Sequence, residues 1–208
     1  MKPTITRSRL MICAALFLAQ GATMAWAADV TKTVETCASC HGKDGVSTET
    51  DVPTIAGFSA PYITDSLEAY GKKERPCPET KYRSGPDKGK AADMCHVATD
   101  LGEDGIKQVA KYFSGKKFVR AHQSADPSLA KKGQQISERN CEKCHSEAGS
   151  KASDDSGMLA GQWMPYLKQA LADFKSGKRP MSKKMKPKID DLQPADFDAL
   201  INYYGSFK

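Results

Sequence analysis

The chain has 208 residues, a formal charge of +6 from 31 Lys and Arg against 25 Asp and Glu, and seven cysteines. With 39% hydrophobic and 27% charged residues, it is too apolar for a disordered chain and too polar for a bundle of membrane helices. One large or two small soluble domains remain.

At the amino terminus, Lys2, Arg7 and Arg9 precede an apolar run from Leu10 to Ala19, and Ala25-Trp26-Ala27 supplies the small-x-small pattern of a signal-peptidase site. Residues 1–27 therefore read as a signal peptide. The apolar run falls well short of the roughly 20 residues that span a bilayer, and Cys13 lies inside the run rather than at its end, which argues against a lipid anchor. Removing the segment leaves a charge of +3 and six cysteines. The mature protein is expected in the periplasm, without a membrane span, where disulfides persist.

A repeat organises the rest. Cys37-Ala-Ser-Cys-His41 recurs as Cys141-Glu-Lys-Cys-His145 at an offset of 104 residues, which also maps Gly57 onto Gly161, Pro61-Tyr62 onto Pro165-Tyr166, Tyr70 onto Phe174 and Arg75-Pro76 onto Arg179-Pro180. A second block matches at an offset of 91, pairing Met94 with Met185, Leu101 with Leu192 and Tyr112-Phe113 with Tyr203-Tyr204. The difference measures a 13-residue insertion in the first copy between Pro76 and Met94. Two homologous domains follow, at 28–118 and 127–208, joined by a linker at 119–126 within the polar stretch from Gly115 to Asp126.

Both copies read as helical. Tyr62, Ile63, Leu67 and Tyr70, and then Tyr166, Leu167, Ala170, Leu171 and Phe174, recur on one helical face. Pro127 opens a helix up to about Asn140. A last helix in each copy is marked by Ile106, Val109, Ala110 and Phe113, and by Phe197, Leu200, Ile201 and Tyr204 after Pro194. No alternation argues for a sheet, so the fold class is all-α. Domains of this size with few large aliphatics are only marginally stable on their cores alone.

Cys-x-x-Cys-His reads as a c-type haem attachment site. Cysteines one helical turn apart, Cys37 with Cys40 and Cys141 with Cys144, each form a thioether to one haem vinyl group, while His41 and His145 bind iron from one side. Two covalently bound haem c groups would also supply the missing apolar core. The competing readings are structural zinc, whose CxxC pairs usually lie closer in sequence, and a redox dithiol, which belongs near a strand-helix unit. For the sixth iron ligand the repeat nominates Met94 and Met185. A thioether opposite histidine raises the potential and suits electron transfer. The alternative is a pair of core methionines, and Met181 competes locally with Met185, although its repeat counterpart is Lys90. His96 and His122 are read as solvent-facing. With both axial positions filled there is no place for substrate, so no substrate-converting site is expected.

Cys77 and Cys95 flank the insertion and are expected to form a disulfide, the alternative being two free thiols. Charge is uneven: residues 29–121 are neutral and residues 122–208 carry +3. Lys175, Lys178, Arg179, Lys183, Lys184, Lys186 and Lys188 surround Met185 and read either as a solvated loop or as a docking patch for an acidic redox partner. Nucleic-acid binding is not expected.

With these motifs in view, the mature chain resembles the two-haem class I cytochromes c. In the second half, Asn140-Cys-Glu-Lys-Cys-His145, Leu159-Ala-Gly-Gln-Trp163 with Pro165-Tyr166-Leu167, and Arg179-Pro-Met-Ser-Lys-Lys-Met185 look like the cytochrome subunit of flavocytochrome c sulfide dehydrogenase. That resemblance implies two tandem helical haem domains about an approximate two-fold axis, with haem propionates near the interface. It also implies a flavoprotein (FAD) sulfide dehydrogenase subunit as electron donor. The Cys77 to Cys95 insertion departs from that subunit's pattern. Two other functions fit the motifs: a free dihaem carrier passing electrons to small redox proteins or a terminal oxidase, and a dihaem peroxidase.

Overall fold

The computed structural model describes residues 30–208; the signal-peptide reading of residues 1–27, Cys13 included, lies outside the described residues. Among the described residues no helix is long and apolar enough to cross a membrane.

Three helices form the first unit. Residues 30–41 (α1) carry the first CxxCH motif at their end. Ala60–Gly71 (α2) starts at Ser59, whose hydroxyl accepts from Tyr62 N, with a proline in the first turn. Met94–Ser114 (α3) starts at Asp93, whose carboxylate accepts from His96 N. α3 is broken at Gly102, where φ 60° and ψ 179° are open to glycine and costly for other residues. The sequence had marked only the part after this break. In the repeat register Gly102 corresponds to Gln193, so the break matches the gap between the last two helices of the second unit.

The second unit contains Pro127–Asn140 (α4), capped by Asp126, which accepts from Ser128 N and Leu129 N. The second CxxCH motif follows, then a single turn at Ser146–Gly149 (α5), Met164–Lys175 (α6), Lys186–Asp190 (α7) and Pro194–Gly205 (α8). A capping box between Gln193 and Asp196 starts α8. α4 crosses α8 at Gly133, where a methyl group would overlap the Ala199 carbonyl. This contact closes the ends of the unit on each other. Buried Val34, Ile63, Leu67, Ile106, Val109 and Phe113 make one core, and Ile136, Leu167, Leu192, Leu200 and Tyr204 belong to the other.

The all-helical reading has one exception. Inside the insertion, Thr80–Lys81 (β1) pairs antiparallel with Ala91–Ala92 (β2), Thr80 opposite Ala92 and Lys81 opposite Ala91. Strands of two residues show no period that a sequence pattern could detect. The Cys77–Cys95 disulfide closes the base of this hairpin, with Cα atoms 5.7 Å apart.

The two units are locked together. Fully buried Gln162 accepts from Thr54 N at 3.0 Å and donates to Thr54 O at 2.9 Å. The Trp163 indole N–H donates to Ser47 O, and Tyr166 N to Thr50 O. The positions equivalent to Gln162 and Thr54 are Phe58 and Met158. Met158 packs with Phe58 in the first core, so the two related contacts are polar on one side and apolar on the other. The expected linker is docked: Ala121 N donates to Gly161 O, and the Gln123 side chain bonds Gln162 O and Met164 N.

Candidate haem sites

The i, i+3, i+4 spacing on α1 puts Cys37, Cys40 and His41 on one helical face. All three line a cavity of about 280 Å³, and Met94, the first residue of α3, lines it from another element. Phe58, Leu67, Leu101, Val109 and Phe113 supply apolar walls. His41 is buried, and its Nδ1 lies 2.8 Å from the Pro53 carbonyl. A carbonyl only accepts, so Nδ1 carries the proton and Nε2 is left with a free lone pair. Burial lowers the ring's pKa, with the Pro53 contact opposing, which keeps the imidazole in its metal-binding neutral form.

In the second unit α4 stops at Asn140, and the motif makes its own turn: Cys144 N and His145 N both donate to Cys141 O. Cys141, Cys144, His145, Met181 and Met185 line a cavity of about 520 Å³. His145 Nδ1 is 3.2 Å from Ser156 Oγ, a looser anchor than Pro53 gives His41. Burial again lowers the ring's pKa. Each expected ligand set is thus gathered around one cavity. Met181 shares the second with Met185, while His96 and His122 are exposed and line neither.

Tyr62, Ser66, Arg75, Tyr166, Ala170 and Arg179 line both cavities and form a shared wall. Arg75 lies over the Tyr70 ring at 4.2 Å and Arg179 over the Phe174 ring at 4.4 Å, equivalent pairs in the repeat. Arg179 is buried and donates to Tyr62 Oη at 3.0 Å. Burial pushes the Tyr166 phenol up, but the charges of Arg179 and Arg75 outweigh it and bring its pKa below the ordinary value. Among the described residues neither arginine has a carboxylate partner, and Arg75 Nε is buried without a hydrogen-bond partner. A buried cation without an anion, as Arg179 is, and a half-buried one with an unpaired Nε, as Arg75 is, are costly. Haem c, an apolar ring carrying two carboxylates, supplies what this wall and these cavities lack, so the residues fit it.

The competing chemistries do not fit. Burial pushes the Cys37 thiol up to about 11 and raises Cys141 as well, whereas a redox dithiol needs a stabilised thiolate. The four motif cysteines lie in two cavities. Among the described residues the one cluster with metal-ligand spacing is Cys77, Asp93 and Cys95, whose sulfurs are bonded to each other.

The basic run around Met185 is smaller than the sequence implied. Arg179 belongs to the buried wall, and Lys175 Nζ donates to the carbonyls of Ile189, Asp190 and Leu192. The wall is what sequence reasoning missed. Its four main residues were visible as repeat matches, but Tyr62 and Tyr166 read as apolar-face positions and Arg179 as surface charge.

A curated relative, cytochrome c4 of Stutzerimonas stutzeri, is 30% identical over 157 residues, covering 70% of each chain. The chain belongs to the cytochrome c4 family. Cytochrome c4 membership makes it a two-domain, all-α class I cytochrome c with two covalently bound haem c groups, working in electron transfer with redox proteins. The solved structure of reduced recombinant cytochrome c4 from Pseudomonas stutzeri superposes with a TM-score of 0.69 at 24% identity, over 86% of this chain and 97% of that one. Residues 128–203 match the family described as cytochrome C oxidase, cbb3-type, subunit III. A thiosulfate dehydrogenase electron acceptor of Stutzerimonas stutzeri is 30% identical over 84 residues, 40% of this chain and 33% of that protein. The narrower resemblance to a sulfide dehydrogenase subunit gains no support from these relatives.

Proposed function

We propose that the protein is a free, periplasmic dihaem electron carrier that collects electrons from an oxidoreductase and delivers them to a small redox protein or terminal oxidase. The observation that carries this reading is the shared wall: residues of both repeats line both cavities, so only side chains separate the two redox sites. Cys37 and Cys40 would hold one haem and Cys141 and Cys144 the other. His41 with Met94, and His145 with Met185, would be the axial ligands, in domains spanning 28–118 and 127–208 with the linker at 119–126. Haem c supplies a one-electron couple at its iron. The chain's part would be to hold each iron through His41 with Met94 and His145 with Met185, to keep water from the apolar cavities, and to place Arg75 and Arg179 as positive charges between the sites, which would favour the reduced state of each.

With Met94 and Met185 as sixth ligands no iron position would be left for peroxide, and their place in the linings of the two cavities supports the carrier over the dihaem peroxidase. The name of the thiosulfate dehydrogenase electron acceptor supports a reduced sulfur compound as the ultimate electron source. The motifs quoted from Asn140 to Met185 favour a second reading, a subunit bound to a flavoprotein sulfide dehydrogenase. Isolation from the native source separates the two. The carrier reading expects a monomer that titrates as two one-electron centres and does not turn over peroxide. A flavoprotein retained at one-to-one stoichiometry would overturn it in favour of the subunit, and rapid cyanide binding with peroxide turnover in favour of the peroxidase.

A further inference from the structure

The insertion belongs to only one of the two copies of the repeat. In the first unit, Arg83 N, Ser84 N and Ser84 Oγ all donate to the Ser39 carbonyl, at 3.1, 3.0 and 3.2 Å. The Lys81 carbonyl lies 4.0 Å from Cys40 Sγ. Arg83 bridges to Glu49 at 3.0 Å and Asp51 at 2.7 Å, and Thr80, Tyr82 and Arg83 line the cavity. The hairpin is a roof over the second cysteine of the first motif, and the disulfide fastens its base.

The repeat equivalents of Ser39 and Cys40 are Lys143 and Cys144. Ser39 is buried, whereas Lys143 and Cys144 are both exposed. Beside Cys144, Lys184 and Lys188 line the cavity together with Asp155. Lys143, Lys183, Lys184 and Lys188 are exposed and make no ion pair among the described residues; on the roof Lys81 and Lys88 are likewise exposed and unpaired, while Arg83 pairs with Glu49 and Asp51, and Lys90 with Asp87 at 2.6 Å. Beside its second motif cysteine the first cavity carries the hairpin; the second carries Lys184 and Lys188 there instead.

We propose that the 77–95 hairpin closes the first haem site to redox partners, so that an acidic redox protein docks at the second site, on the face formed by Lys143, Cys144, Lys184 and Lys188. The proposal rests on the electron-carrier reading and gives it a direction: exchange with an acidic partner passes through the second site, and the first is reached across the Arg75/Arg179 wall. Exposed lysines around an opening steer an acidic protein and set the salt dependence of its association.

The test uses the complete holoprotein, with oxidised flavodoxin, an acidic FMN protein, as probe. Backbone amide shifts of the reduced cytochrome are followed at low ionic strength. The expected result is shifts confined to residues 143–146 and 181–188. Shifts at residues 80–92, equal shifts on both faces, or none would overturn the proposal. In parallel, electron transfer from flavodoxin hydroquinone is timed by stopped flow. The Lys184→Glu/Lys188→Glu double variant is expected to slow it about tenfold at low salt and to flatten its salt dependence. Lys88→Glu/Lys90→Glu on the roof leaves it unchanged. Equal slowing by both pairs would also overturn the proposal. A holoprotein that fails to titrate as two one-electron centres defeats the carrier reading itself; normal titration with shifts on the hairpin defeats the docking face alone.

Discussion

Replacing Gln162 with Leu removes the amide that joins the two units and keeps a similar volume. Gln162 Oε1 accepts from Thr54 N and from Trp163 N, and Nε2 donates to Thr54 O, at 3.0, 3.2 and 2.9 Å. Thr54 is 2% exposed, so its N–H and C=O have no access to water once the amide is gone. An unpaired buried group costs about 1–3 kcal/mol. Two such groups, partly offset by leucine's easier desolvation, give an expected loss of about 2–4 kcal/mol. The loss should fall on the interface rather than on either core. Two measurements check it: denaturant unfolding of the holoprotein, and hydrogen exchange at the Thr54 amide, which should lose protection before the amides of α3 and α8. Thr54→Ala keeps both backbone groups and should leave that protection largely intact, losing only the Ser47 N–H bond to the hydroxyl. A Gln162→Leu protein with parental stability and a protected Thr54 amide would refute the reasoning.

Gly133→Ala should cost about 3 kcal/mol in thermal unfolding, because the new methyl overlaps the Ala199 backbone, which has nowhere to move. Cys77→Ser/Cys95→Ser opens a loop of separation 18 and should cost about 3 kcal/mol in the chain-entropy model; because Cys95 follows Met94, the sulfur-to-iron near-infrared band of the first site should also fade at lower temperature than in the parent. Met185→Ala should remove that band from the second site and lower its potential, whereas Met181→Ala should leave both unchanged in a redox titration. Asp44 is held below the usual carboxylate range chiefly by Lys116, then by the Tyr112 hydroxyl; with the folded value depressed, its contribution is present above the unfolded value and lost as pH falls through the folded one. Asp44→Asn should therefore be less stable than the parent at pH 7, with the gap closing in acid below about pH 4.

The elements that line the two cavities were legible because the repeat exposes them: CxxCH, the paired methionines and the helical faces of α2 and α6 all recur at fixed offsets. Cys77 and Cys95 were legible by elimination, as the two cysteines left over once the CxxCH motifs and Cys13 are set aside. Other features had no local signature. The β1–β2 ladder is too short to show alternation. Arg179 lies among lysines and reads as solvated, yet its partners, Tyr62 and the Phe174 ring, come from another domain and another helix. Gln162 pairs with a backbone 108 residues away, and a bond from side chain to distant backbone leaves no pattern in one sequence. The roof over Cys40 depends on where the insertion folds back, which its length alone does not determine.

Electron transfer by this chain turns on two haem groups being attached, one in each cavity. The decisive measurement is mass spectrometry of proteolytic fragments from the protein isolated from its native source, after acid-acetone extraction has stripped non-covalent haem. One haem mass is expected on the fragment containing Cys37 to His41 and one on the fragment containing Cys141 to His145, with Cys77 and Cys95 joined to each other. Free thiols or a disulfide within either CxxCH fragment would contradict it.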